Sequence, residues 1–265
     1  MTNDLASVRS ILFLPASNPR AIGHARDSAA DLVILDLEDA VRPEDKDEAR
    51  RAAVEAVAGD WPMPVAIRIN AVGTPWHSLD IDSVARSKAS FAVLPRSSSA
   101  NLVHEAAEAV GKPMLAMVET AAGVLAAADI AGASAALIAG TNDLRADLRI
   151  PSGGDRSALS TALQTIVLAA RACAIPVFDG VFNDLDDMDA FERQCAEGRA
   201  MGFDGKTLIH PRQVDACNRA FSPSEEELAR ARRLVEAYGG GAERFEGEMI
   251  ERMHVDAARR LLDRA

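Results

Sequence analysis

Eight apolar runs recur along this chain, and most end in an acidic or polar residue. They are ILFLPAS (11–17), LVILDLED (32–39), VAIRIN (65–70), FAVLPR (91–96), PMLAMVE (113–119), AALIAGTND (135–143), IPVFDG (175–180) and KTLIHP (206–211). Successive run ends, from Ser17 to His210, lie 21 to 37 residues apart. Each gap holds one strand and one helix. The runs carry Val, Ile, Leu and Ala on both alternating faces, as strands do when helices cover one side and barrel packing the other. Eight β/α units in series predict an α/β fold in which a parallel sheet closes into a (β/α)8 barrel. Chemistry in such a barrel gathers at the C-terminal strand ends, where Glu38, Arg68, Glu119 and Asp143 fall.

The chain has 265 residues, 48% of them apolar, enough for one such barrel. Its net charge of −11 argues against a nucleic-acid partner, which would need clustered Lys and Arg. The basic residues are scattered and mostly lie beside acids, as in PEDKDEARR (43–51). Cys173, Cys195 and Cys217 have no metal-type spacing and read as buried, reduced thiols. The first ten residues lack a signal-peptide pattern, and no apolar run approaches a membrane span. The expectation is a cytoplasmic protein without a membrane partner.

Residues 1–8 read as a loose lead-in. Ser17-Asn18-Pro19 supplies a polar cap and an early proline for a helix over 19–29. Acids precede bases along 43–58, which suits the helix dipole. Further helices are predicted near 99–110, 121–129, 156–172, 187–200 and 223–238. PSGGD (151–155) reads either as a mobile lid or as an ordinary surface loop. Residues 1–221 are expected to form the barrel, and 222–265 a C-terminal helical extension, with a short turn and a helix over 245–265 that packs on the barrel or on a neighbouring subunit.

Glu119 and Asp143 form the sharpest chemical pair. They end strand runs in adjacent units, so their carboxylates should converge at one rim. Two hard oxygen donors without His or Cys suit Mg²⁺, which keeps several waters and takes other ligands from substrate. The alternative for Asp143 is a helix cap. Asp36, Glu38 and Asp39 form a second acidic cluster. Asp36 and Glu38 share a strand face, and three such acids need a cation or arginines to compensate them. They either ligate a metal or hold its water and orient an arginine; Asp39 fits a helix-start cap. Arg68 lies inside an apolar run, where a guanidinium needs an anion. It pairs with DLED on the neighbouring strand, forks onto a substrate carboxylate, or both. Arg96 is a weaker candidate of the same kind. His210 reads as structural rather than as an acid or base. Gly-rich nucleotide motifs, a P-loop and a GxSxG elbow are absent.

RSILFLPASNPRA, LVILDLEDAVRPEDKDEAR, IRIN, VETAAGV, GTNDL, GFDGKTLIHPRQV and FSPSEEELARA together closely resemble the citrate lyase β-subunit-like family. That family lies within the wider HpcH/HpaI aldolase and citrate lyase group of Mg²⁺-dependent enzymes, which includes malyl-CoA and citramalyl-CoA lyases. The motifs run in order over nearly the whole chain. The resemblance implies a TIM barrel, Mg²⁺ held by Glu119 and Asp143, and Arg68 gripping a small oxo acid. It implies DLED acids, Asp36 and Glu38 among them, supporting the metal site, and a homotrimer or homohexamer whose C-terminal helix reaches a neighbour's active site. The PASNPRA segment nominates Arg20 as a contact for CoA phosphates. His24 stands where a lysine often follows that loop, and Arg96 where the family usually has lysine. Glu251, in GEMIE, occupies the place of a catalytic aspartate supplied by the adjacent subunit; it keeps the carboxylate and adds a methylene.

The implied reaction is Mg²⁺-assisted, reversible aldol-type cleavage of a 3-hydroxy acid thioester to an oxo acid and an acyl thioester. The thioester is CoA- or acyl-carrier-linked, and of malyl, citramalyl or citryl type. Arg68 and Glu251 are the expected catalytic residues. Rival readings are a thioester hydrolase or a CoA-independent oxo-acid aldolase on the same site, and a non-catalytic oxo-acid-binding subunit of a lyase complex.

Overall fold

The structure is a computed structural model that describes residues 5–151 and 155–263. Residues 152–154, inside the loop read above as a lid or a surface turn, lie outside the described residues. The chain divides into two compact units, one ending at Asn218 and one beginning at Arg219.

In the first unit, strands and helices alternate in the order β1 (Ser10–Pro15), α1 (Pro19–Ala25), β2 (Leu32–Asp36), α2 (Lys46–Ala58), β3 (Val65–Arg68), α3 (His77–Ala85), β4 (Phe91–Leu94) and α4 (Ala100–Val110). Then come β5 (Met114–Val118), α5 (Ala121–Leu125), α6 (Ala127–Gly132), β6 (Ala136–Ala139), α7 (Thr141–Asp147), α8 (Ser160–Ala172), β7 (Val177–Asp179), α9 (Met188–Met201) and β8 (Gly205–Leu208), and the division between the units falls within α10 (Val214–Phe221). The eight strands pair in parallel and in sequence order, and β1 closes the ring against β8. This is the predicted (β/α)8 TIM barrel.

Two layers of apolar side chains explain closure. Inward positions such as Ile11, Ile34, Ala66, Val93, Leu115, Ile138 and Phe178 form one buried core. The alternating positions, such as Leu12, Val33, Leu35 and Ile67, are equally buried and meet the helical layer. Leu5 and Val8 join the inner core, and Leu5–Ser7 is a 3₁₀ turn. The expected loose lead-in is therefore corrected for residues 5–8: two apolar side chains anchor it.

The strands are shorter than the apolar runs. Polar run ends leave the ladder. Asp36 and Arg68 are each the last residue of their strand, paired in register, whereas Glu38, Glu119 and Asp143 lie one to four residues beyond theirs. The predicted 121–129 helix is two short helices, and the predicted 19–29 helix stops at Ala25. Helix α3 fills the gap between the third and fourth runs, where the rhythm calls for a helix without placing it.

The second unit holds α11 (Glu225–Ala237), β9 (Glu243–Phe245), β10 (Glu248–Ile250) and α12 (Arg252–Asp263). A capping box closes the start of α11: the Ser224 hydroxyl accepts from Glu227 N–H, and the Glu227 carboxylate accepts from Ser224 N–H. The predicted turn before the last helix is a two-stranded antiparallel hairpin. Its Glu246-Gly247 corner has φ of 48° and 93°, the double left-handed geometry that a tight two-residue hairpin requires. Arg230 and Arg233 on α11 pair with Glu248 and Glu246, and Ala231, Leu234, Ile250, Val255 and Ala258 form the unit's own core. No described helix is long and apolar enough to cross a membrane.

Candidate active site

A cavity of about 470 Å³ opens at the C-terminal ends of the strands. Its lining includes the charged Asp36, Asp39, Arg68, Glu119 and Asp143 and the apolar Phe13, Met117, Ala139, Val181 and Ile209. The barrel thus gathers most of the predicted site into one place.

Asp36 organises the first half. Its Oδ1 accepts from Glu38 N–H at 2.9 Å and from Arg68 Nε at 2.6 Å. Its Oδ2 accepts from Arg68 Nη2 at 2.6 Å and from Ala40 N–H at 3.2 Å. The same carboxylate therefore turns the backbone after β2 and grips the guanidinium in a fork. Arg68 Nη1 lies 2.9 Å from Glu38 Oε2 and 3.7 Å from Met117 Sδ. The Phe13 ring stands 5.1 Å from the guanidinium carbon. Burial opposes the Arg68 charge, but Asp36, Glu38 and Glu119 outweigh it and hold the pKa above its usual value. Of the two partners read for Arg68, the structure shows the DLED acids.

Glu38 is buried, and its Oε2 meets Arg68 without the alignment of a hydrogen bond. Burial pushes its carboxyl up to about 8; Arg68 pulls it down, and Asp39, Glu119 and Asp36 add repulsion.

Glu119 follows β5 directly and is 1% exposed. Its Oε1 accepts the Arg96 N–H at 2.6 Å, and Arg96 adopts φ 49° there. Its Oε2 is buried with no hydrogen-bond partner. Space for that carboxylate depends on Gly140, where any Cβ would collide with it. Burial pushes Glu119 up to about 7; the Arg96 N–H opposes this and the Asp143 charge adds to it. Asp143 stands in the first turn of α7 and is partly buried. That helix has no side-chain cap, so Asp143 does not serve as one. Burial, then repulsion from Asp39, raises its pKa, against the pull of Arg96 and Arg68.

These facts test the fit of a hard cation. A buried carboxylate oxygen without a partner costs free energy, and two mutually repelling carboxylates line the same cavity. A divalent ion relieves both. Among the described residues no group of three or more His, Cys, Asp and Glu is arranged to hold a metal. A pair of carboxylates completed by water and substrate is the Mg²⁺ pattern.

The other predicted residues sit elsewhere. Arg20 is exposed on α1, away from the cavity lining, while Asn18 caps that helix through Ala21 N–H. Glu251 is exposed in the second unit, its N–H donating to His254 Nδ1 at 3.0 Å. His210 is structural, as expected: its Nδ1 accepts from Arg212 N–H within a capping box with Gln213. The Arg96 side chain is exposed, its charge acting on Asp143 while its backbone N–H holds Glu119. Cys195 and Cys217 are free and buried, whereas Cys173 is partly exposed.

One functional neighbour gives no sign in the sequence. Lys46 reads as a solvated charge of PEDKDEARR, yet it is 5% exposed. Its Nζ donates to the carbonyls of Leu37 and Glu38 and to Asn70 Oδ1, each at 2.7 Å. Asn70 donates through its N–H and Nδ2 to Asp80 Oδ2, and Arg50 pairs with the same carboxylate. This buried chain ties the loop after β2 to the loop after β3, and so fixes Asp36 and Arg68 relative to each other. A second network on the outer face joins Asp179 to Lys206 and Arg156 at 2.8 and 2.6 Å. Burial opposes the Asp179 charge, but the two cations hold its pKa below the usual carboxylate range.

Residues 9–211 match the family model described as HpcH/HpaI aldolase/citrate lyase. A (3S)-malyl-CoA thioesterase of Cereibacter sphaeroides is 39% identical over 278 residues, spanning 100% of this chain and 97% of its own. The crystal structure of CitE from Mycobacterium tuberculosis in complex with magnesium, acetoacetate and coenzyme A superposes with a TM-score of 0.88 at 35% identity, covering 98% of this chain and 99% of that one. A citrate lyase β subunit from M. tuberculosis, complexed with oxaloacetate and magnesium, gives 0.76 at 34% identity, covering 83% and 99%.

Proposed function

The chain belongs to the HpcH/HpaI aldolase/citrate lyase family, and on that premise we propose that it is a Mg²⁺-dependent carbon–carbon lyase acting on a 3-hydroxyacyl thioester. The observation that carries this reading is the buried Glu119 carboxylate, one oxygen unpartnered, in a cavity shared with Asp143 and Arg68. Glu119 and Asp143 hold the magnesium, as relatives with bound magnesium support. When bound, the ion supplies a Lewis acid and a template for an oxo-acid or hydroxy-acid chelate.

The chain's own groups do the rest. Arg68, held rigid by Asp36 and Glu38, places positive charge beside the oxo-acid fragment. Cleavage takes the proton from the 3-hydroxyl and breaks the bond between C2 and C3. The bond's electron pair passes into the thioester as an enolate, and a proton is delivered to C2. Glu251 is the proton-transfer group, brought to the site from a second copy of this chain in a trimeric assembly. Phe13, Met117, Val181 and Ile209 give the same cavity an apolar lining.

A second reading has its own support: the relative that is 39% identical over the full chain is a malyl-CoA thioesterase. Incubation with malyl-CoA and Mg²⁺ separates the two. Glyoxylate with acetyl-CoA marks the lyase, and malate with free CoA marks the hydrolase. Absence of both product pairs, with citramalyl- and citryl-thioesters equally inert, would refute the enzymatic reading.

A further inference from the structure

Glu119 and Asp143 stand on separate segments, and a few polar contacts fix how those segments sit. Glu119 is followed by Thr120 and then by α5, which begins at Ala121. Asp143 lies in the first turn of α7, a helix of seven residues with one buried side chain, Leu144. So little apolar burial holds α7 weakly. Three features add to it. At its end, the Asp147 carboxylate accepts the Ala121 N–H at 2.6 Å. At its start, Asn142 and Asn183 exchange amide hydrogen bonds, each Nδ2 donating to the other's Oδ1, at 3.2 and 2.7 Å. Gly180, where any Cβ would collide with Thr141, lets that start press against the end of β7.

Asp147 is badly placed for its own helix, since an acid at a helix C-terminus meets the negative end of the dipole. Its partner explains it. The Ala121 N–H opens α5, where backbone donors have no acceptor inside the helix and the dipole favours an anion. One carboxylate thus joins the segment of one ligand, two residues after Glu119, to the helix of the other, four residues after Asp143. Residues four apart share a helix face, so a tether on Asp147 constrains the face that carries Asp143.

We infer that Asp147, with the Asn142–Asn183 pair, positions the two carboxylates so that the site favours Mg²⁺ over a larger divalent ion such as Ca²⁺. This rests on the metal site proposed above. Mg²⁺ demands near-ideal octahedral geometry at about 2.0–2.1 Å, whereas Ca²⁺ accepts irregular coordination at about 2.3–2.6 Å. Carboxylates on loosened segments therefore lose Mg²⁺ first. Every bond in the device lies within one chain, so it does not depend on a second copy at the site.

Calorimetric titration of the full chain with Mg²⁺ alone and with Ca²⁺ alone, in the parent and in three variants, tests this. Asp147 and Asn183 are exposed, so replacing them removes no core contact. Asp147→Ala should weaken Mg²⁺ binding about 10-fold or more and Ca²⁺ binding by less than about threefold. Asp147→Asn gives up the charge but keeps an acceptor for the Ala121 N–H, and should hold both affinities within about threefold of the parent. Asn183→Ala should lower the ratio of Mg²⁺ to Ca²⁺ affinity by about threefold or more. A role in folding alone, or in charge alone, would move both ions together. An unchanged ratio in Asp147→Ala and Asn183→Ala, or an equal loss in Asp147→Asn and Asp147→Ala, overturns the inference and leaves the metal site standing. No saturable Mg²⁺ binding by the parent overturns the site as well.

Discussion

Glu119→Gln removes one charge and almost no volume from the centre of the site. In the metal-free protein, burial holds the carboxyl near pH 7 rather than near 4.5. A raised acid pKa means that the native state keeps its proton while the unfolded chain has lost it. The sign follows: folding stability falls as pH rises from about 4.5 to about 7, and the penalty is complete above that. The shift of about 2.5 units corresponds to roughly 3 kcal/mol. Gln escapes that penalty and can still accept the Arg96 N–H, but it leaves an amide group where Oε2 has no partner, at about 1–2 kcal/mol. The metal-free variant should therefore match or exceed the parent in stability at pH 8, by up to about 2 kcal/mol. Magnesium at 100 times its Kd should stabilise the parent by about 2.7 kcal/mol, a rise in Tm of roughly 5 °C or more for a chain of this size. The variant should shift by less than about 1 °C. Thermal unfolding at pH 5, 7 and 8, with and without Mg²⁺, reads all of this. Equal Mg²⁺ stabilisation of parent and variant, or a metal-free variant several kcal/mol weaker, would refute the reasoning.

Further changes separate support from chemistry. Arg68→Lys breaks the fork onto Asp36 and should lower turnover at least 100-fold while costing about 3 kcal/mol; steady-state kinetics and urea melts check both. Lys46→Met strands three acceptors and should cost about 3 kcal/mol, with kcat falling more than Mg²⁺ affinity. Lys206→Met leaves Asp179 buried beside Arg156 alone and should cost about 3–5 kcal/mol, with the Kd for Mg²⁺ in the folded fraction unchanged by calorimetry. Glu251→Ala should abolish turnover with Mg²⁺ and pyruvate affinity intact, and mixing it with an Arg68→Lys chain should restore activity if the site is shared between copies.

The barrel was legible because its strands are apolar on both faces and because polar residues punctuate them at one rim. Glu119, Asp143, Asp36 and Arg68 followed from that rhythm, since consecutive strands must be neighbours. Strand limits were not legible: apolar runs continue through Leu37 and Ile69, which are loop residues that also pack. Lys46 escaped because a helical lysine among acids looks solvated until the loops after β2 and β3 fold over it. The same blindness hid Lys206, a charge inside a strand whose partner, Asp179, lies 27 residues away along the chain. The hairpin escaped because its strands are three residues each, too short for alternation to register. Its Glu246-Gly247 corner was the available cue.

Diffraction from crystals grown with Mn²⁺, an anomalously scattering substitute for Mg²⁺, and pyruvate tests the central claim directly. The account predicts one strong anomalous peak about 2.0–2.3 Å from carboxylate oxygens of both Glu119 and Asp143, with pyruvate completing its ligands beside Arg68. A peak lodged instead among Asp36, Glu38 and Asp39, or density for pyruvate away from any ion, would contradict it.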